Sequence, residues 1–173
     1  MEAIMKIWFT SDTHFGHKNV IHYCNRPFSS VDSMTEGMIS RWNEKVKEED
    51  LVYHLGDFAF LSKSKLAEIV NRLNGKIILI QGNHDSNNIR SLFWESHKSL
   101  EVNVNGKTIH LSHYPKSHEC GLVLCGHVHE KWKVADYSGI TNVNVGVDVW
   151  DYYPVSFEEI ALFLEKNKVV SNA

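Results

Sequence analysis

Aspartates, histidines and an asparagine gather in five short blocks of this chain, each directly after an apolar run. Asp12-Thr13-His14 follows Ile7-Trp8-Phe9, Gly56-Asp57 follows Leu51–Leu55, and Gly82-Asn83-His84-Asp85 follows Lys76–Ile80. Further on, Ser112-His113 closes one β-rich run and Gly126-His127-Val128-His129 closes another. Carboxylate, imidazole and amide oxygen together suit a first-row divalent ion such as Mn, Fe, Co, Ni or Zn. The blocks hold more donors than one tetrahedral or octahedral ion uses. His127 and His129 are two apart, so an extended backbone sends both to one side. Any one block alone reads better as turn chemistry or a strand-end cap. Five together, in this order, favour metal binding.

The elements that must carry these blocks follow from periodicity. Lys6–Ser11, Leu51–Leu55 and Lys76–Ile80 are near-continuous apolar strands. A short helix over about 18–23 follows the first. A longer helix over about 33–46 carries Met34, Met38, Trp42 and Val46 on one face, with Asp32 as a possible cap. A third spans about 65–73 and stops at Asn74-Gly75. Such a β-α-β-α-β run reads as parallel strands covered by helices. In open α/β sheets ligands gather outside the carboxyl ends of the strands, where the first three blocks stand. The second half differs. Leu100–Val104 and Lys107–Ser112 flank Asn105-Gly106, the signature of a hairpin. Leu122–Cys125 and Asn142–Val147 are further strands, and a helix over about 157–165 comes last. The implied class is an α/β sandwich of two packed sheets.

The chain has 173 residues, 43% of them hydrophobic, and lacks repeats or linker-like runs, so residues 1–173 read as one domain. Its net charge of -3 gives no broad footprint for duplex nucleic acid. No apolar run reaches the roughly 18 residues of a membrane helix, and no secretion signal is evident at the start. Three cysteines at unpaired spacing, Cys24, Cys120 and Cys125, read as small buried hydrophobes and not as a disulfide framework. A cytoplasmic protein is expected.

The five blocks, in order, resemble the calcineurin-like metallophosphoesterases. The opening Phe9-Thr-Ser-Asp-Thr-His-Phe-Gly-His17 with Asn25-Arg-Pro-Phe28 is similar to a small single-domain bacterial and phage subgroup. The resemblance implies a four-layer α-β-β-α sandwich of two mixed β-sheets flanked by helices. It also implies two divalent metal ions, Mn favoured. One would be held by Asp12, His14, Asp57 and His129, the other by Asp57, Asn83, His113 and His127, with Asp57 bridging. A metal-bridging hydroxide would be the nucleophile, which leaves the centre at about +1 and attracts phosphate. His84 would be the catalytic acid, oriented by Asp85.

Other residues divide between substrate contact and packing. His17 stands next to the first block and either touches substrate or starts a helix. Arg26 either clamps a phosphate oxygen or forms an ion pair. Asn83 is a substrate contact as well as a ligand. His54 reads as packed within a strand and His110 as solvent-facing. His22, His97 and His118 carry no spacing signal. The aromatic group Phe58, Phe60, Trp150, Tyr152 and Tyr153 reads as packing before base stacking. No arginine follows Asp57, and Gln81 precedes Gly82, which favours a phosphodiester over a phosphoprotein or other monoester. The substrate is a phosphoester, in one form nucleotide-like. Two rivals stand beside this reading. One is a non-catalytic scaffold on the same fold, disfavoured by an intact ligand set. The other is a nuclease acting on short DNA or RNA. Oligomeric state and contact with extended nucleic acid are left open.

Overall fold

The computed structural model describes residues 5–117 and 121–171, with side chains to residue 167. His118 and Cys120 lie outside the described residues. Two five-stranded mixed sheets pack face to face. The first contains β1 (Ile7–Thr10), β2 (Leu51–His54), β3 (Lys76–Ile80), β4 (Glu95–His97) and, from the far end of the chain, β10 (Val155–Ser156). Its order is β10-β1-β2-β3-β4. Strands β1 to β4 run parallel and β10 antiparallel to β1. The second contains β5 (Ser99–Val104), β6 (Lys107–Ser112), β7 (Leu122–Cys125), β8 (Val134–Tyr137) and β9 (Ile140–Asn144), ordered β5-β6-β7-β9-β8. The expected hairpin turns on Asn105 and Gly106, both with positive φ, as a tight two-residue turn requires.

Alternation along the strands sorts the apolar residues into two clusters. Phe9, Tyr53, Ile78 and Ile80 face Ile109, Leu111, Leu124 and Val143 between the sheets. Trp8, Val52, Ile77 and Leu79 face the other way, against helices α1 (Val20–Tyr23), α2 (Val31–Lys45) and α3 (Lys63–Val70). Helix α4 (Phe157–Ser171) adds Phe157 and Ile160 to the inter-sheet cluster. Helix α2 is capped by Ser30, whose side chain accepts from the Ser33 backbone while Ser33 returns the bond, so the cap is not Asp32. Buried Asp50 ties the entry of β2 to that of β1. It accepts from the Lys6 and Lys47 backbone N–H groups and the Trp8 indole at 2.9 Å each.

His110 is buried, not solvent-facing. Strand β6 is interior to the second sheet, and beyond His113 the chain reaches β9 at Lys116. There Lys116 exchanges two backbone bonds of 2.9 Å with the Asn142 side chain of β9. His54 is fully buried as expected, bonded to Thr13 Oγ1 at 3.0 Å, and burial pushes its pKa down to about 3.

Candidate metal centre

The loops after β1 and β2 stay zipped beyond the strands. Asp12 N–H donates to Gly56 O and His14 N–H to Asp57 O, both at 3.0 Å. This fixes the first two blocks side by side. Asp85 fastens the third. Its carboxylate accepts the backbone N–H groups of Asp57 (2.7 Å), Phe58 (2.9 Å) and Gly82 (2.8 Å). Burial raises its pKa against those bonds. Asp85 therefore holds two strand-end loops together. Asp85 is expected to orient the His84 ring; the bonds seen for its carboxylate are these three backbone donors.

Asp12, His14, Asp57, His127 and His129 all have φ between 49° and 70°. Non-glycine residues seldom adopt this left-handed region, which costs on the order of 1–3 kcal/mol each and persists only where surroundings impose it. Here it turns successive side chains inward. Two glycines make the room. A Cβ on Gly82 would overlap Asp57 Oδ1, and one on Gly126 would overlap Ser11 Oγ and Asp12 Oδ2.

The ligand atoms that converge are largely acceptors facing acceptors. His14 Nε2 lies 3.6 Å from Asp57 Oδ2 and 3.9 Å from Asp12 Oδ1. Both His14 ring nitrogens are buried without a hydrogen-bond partner. Burial, then repulsion from His129 and Arg26, drives its pKa down to about 2, so the ring is neutral. His113 Nδ1 lies 2.7 Å from Leu55 O, a bond it can only donate. Its Nε2 then presents a lone pair to Asp57 Oδ2 at 3.5 Å and Asn83 Oδ1 at 3.1 Å. Lone pairs meeting without donors are unfavourable unless a cation sits among them. The donor set thus fits divalent metal. Among the described residues three groups lie close enough to share an ion: Asp12–His14–His129, Asp12–Asp57–His113 and, at the edge, Cys24–His129–Glu130. Asp57 Oδ2 stands between the two histidines, His14 and His113.

His129 faces Asp12 with Nε2, at 4.0 Å, and Asp148 with Nδ1, at 3.0 Å. Burial opposes its charge, yet the Asp148 bond, with Cys24 and Asp12, holds its pKa up to about 10. Metal binding there would displace that proton. His127 is exposed, and its ring stands edge-on to His113 and Tyr114. Its backbone N–H donates to the Asp12 carboxylate at 3.0 Å. Asn83 is exposed and reaches the cluster through His113. His84 projects at the edge, its side chain 45% exposed and Nε2 4.0 Å from Asp57 Oδ2, while its backbone N–H holds Asp57 Oδ1 at 3.0 Å.

Of its two readings, phosphate clamp or ion pair, Arg26 takes the ion pair, and takes it buried and not at the surface. It is 4% exposed, and its guanidinium is shared between Asp148 (2.7 and 2.9 Å) and the carbonyls of Asp12 (2.7 Å) and Thr13 (3.0 Å). Its donors face the back of the ligand loop. Two contributors escaped the sequence reading. Asp148, on the 3₁₀ turn after β9, joins Arg26 to His129. Its only signal was a carboxylate after another strand end. Tyr114, directly after His113, is exposed and donates to Asn83 Oδ1 at 3.2 Å. Of the aromatics, Phe58, Trp150 and Tyr152 pack, but Phe60 is exposed beside His84 and His17. Cys125 is buried as expected. Cys24 is only half-buried and borders the same opening.

Carboxylates and imidazoles thus converge at the strand ends of a two-sheet α/β sandwich, in groups able to hold a metal ion. Residues 5–154 match the calcineurin-like phosphoesterase superfamily domain, and the chain belongs to that family. It is 40% identical to the uncharacterized protein MJ1445 of Methanocaldococcus jannaschii, over 97% of this chain and 96% of that one. It is 27% identical to the Gene 66 protein of Mycobacterium phage D29, covering 83% and 88%. Among solved structures, the protein of unknown function AQ665 from Aquifex aeolicus aligns with a TM-score of 0.76 at 30% identity, covering 92% of this chain and all of that one. The family implies divalent metal and a phosphoester substrate. Among the described residues no helix is long and apolar enough to cross a membrane.

Proposed function

We propose that the protein hydrolyses phosphodiesters at a centre of two divalent metal ions. The carrying observation is the convergence of Asp12, His14, Asp57 and His113 with lone pairs facing one another, with His129 beside His14 and Asp12. Asp12, His14, Asp57 and His129 would hold one ion. Asp57, Asn83, His113 and His127 would hold the other, with manganese the favoured metal. Bound ions would lower the pKa of a water and draw charge from the phosphoryl oxygens. The chain's own residues do the rest. His113 and His129 are held as ligands by Leu55 O and Asp148, so little rearrangement accompanies loading. Water adds to phosphorus and the ester P–O bond breaks. His84, within reach of the substrate edge, gives a proton to the leaving oxygen. A proton of the attacking water goes to solvent, and His84 is reprotonated.

The diester preference rests on charge. A monoester dianion needs cationic side chains beyond the ions. Arg26 is turned away and consumed by Asp148, and Lys131 is the one lysine or arginine on the described walls of the opening. The test is kcat/KM for bis-p-nitrophenyl phosphate against p-nitrophenyl phosphate, with each of Mn, Fe, Co, Ni and Zn added to metal-free protein. The diester should lead. A monoester preference above tenfold overturns the diester reading, and no turnover with any metal overturns catalysis.

A further inference from the structure

A cleft of about 430 Å³ opens from the ligand cluster, lined among others by His14, His17, Tyr23, Phe60, His84 and His129. That size falls within the usual range of small-ligand sites. Its floor is aromatic. The Phe60 ring stacks on His17 at 4.2 Å and 18°, and stands 4.7 Å from His84 and 5.5 Å from His14. Phe60 is 39% exposed, held by its backbone N–H to Phe15 O at 2.8 Å. Tyr23, at the end of α1, is 73% exposed and meets His17 edge-on at 6.4 Å. Two large aromatic rings left in water around one cleft leave apolar area unburied, which a ligand would cover. Glu130 and Lys131 supply a polar rim.

Position in the site decides what fills it. His14 and His129 form the inner end, where the phosphoryl group belongs, and His84 stands beside Phe60. A group whose oxygen receives the His84 proton must leave across the Phe60 ring. We infer that this cleft is a leaving-group subsite for a planar aromatic ring, with Phe60 and Tyr23 as the residues that select it. This rests on the phosphodiesterase reading for its orientation but not for the binding of the ring. The occupant is a nucleobase or a simple aryl group, which share the stacking face and differ in their polar edges.

Two measurements test it. First, methyl phosphodiesters with an aryl leaving group and with a fluoroalkyl leaving group of matched acidity are compared in wild type, Phe60→Leu and Tyr23→Ala. The aryl-over-alkyl ratio of kcat/KM should fall about tenfold in Phe60→Leu and less in Tyr23→Ala. An unchanged ratio in both variants overturns the subsite. Second, uncharged adenosine and anisole are titrated into metal-free protein and followed by saturation-transfer NMR. Binding weakened by both substitutions supports the cleft; adenosine alone identifies a nucleobase, and both ligands identify any aryl ring. If neither adenosine nor anisole binds, the inference is overturned even if phosphodiesters turn over. Binding without turnover of any ester overturns the catalytic reading and leaves the ring site standing. Thermal melts of both variants within a few degrees of wild type confirm that they fold.

Discussion

Arg26→Ala separates two roles that one arginine near a phosphate site can have. Removing the guanidinium deletes two bonds to Asp148 and one each to the carbonyls of Asp12 and Thr13. The Asp148 side chain is 1% exposed, so its carboxylate is left buried with His129 as its remaining ring partner. Breaking one half of a buried ion pair costs about 3–5 kcal/mol. For a domain of this length each kcal/mol moves Tm by roughly 2–4 °C, so a fall of about 10 °C is expected. Arg26→Lys keeps a charge but not the fork and should fall between. The assay is circular-dichroism melting of metal-free protein beside Michaelis–Menten kinetics well below the mutant Tm. A Tm within about 2 °C of wild type, with KM raised tenfold, would refute the buried-brace reasoning and return Arg26 to the substrate.

Asp57→Asn should abolish activity and lower bound metal more than any other single ligand change, since Asp57 Oδ2 stands 3.6 Å from His14 Nε2 and 3.5 Å from His113 Nε2; two ions per chain by elemental analysis would remove its bridging role. His84→Ala should keep both metals and lose about 10²-fold in kcat, less for esters with very good leaving groups; equal losses across leaving groups would count against proton donation. Burial alone would raise the Asp50 carboxyl, but the Lys47 and Lys6 backbone donors and the Trp8 indole hold it below its usual range. That stabilisation is complete above the unfolded carboxylate pKa, about 3.9, and is lost as pH falls through the lower folded value. Asp50→Asn should therefore melt earlier at pH 7 and show a shallower stability loss between pH 5 and 2 than wild type.

The strands and the ligand blocks were legible because both are local. Continuous apolar runs announce buried parallel strands, and polar residues just past them have nowhere to go but the sheet's carboxyl edge. What escaped was set by distance in sequence. Arg26 and Asp148 are 122 positions apart, and nothing near Arg26 distinguishes a partner from a substrate. Phe58 and Phe60 have the same local signal, yet Phe58 turns into the core against Phe15 and Phe93 while Phe60 stays at the opening. His110 alternates like an outward residue, yet it lies buried in an interior strand of the second sheet. Strands β4, β8 and β10 are too short or too polar to stand out from turns.

The position of β10 bears on the order in which the molecule is made. Strands β1 to β4 are complete once residue 97 has been synthesised, but the strand that flanks β1 arrives only with residues 155 and 156. Until then Ile7–Thr10 is an open edge, and its unpaired backbone groups can recruit any other extended chain. In the finished protein a two-residue strand closes that row, and helix α4 follows it directly. A fragment trimmed at residue 154, where the family match stops, would leave the nascent edge permanently open. Such a fragment would keep every candidate ligand side chain and still be more prone to self-association than the longer chain.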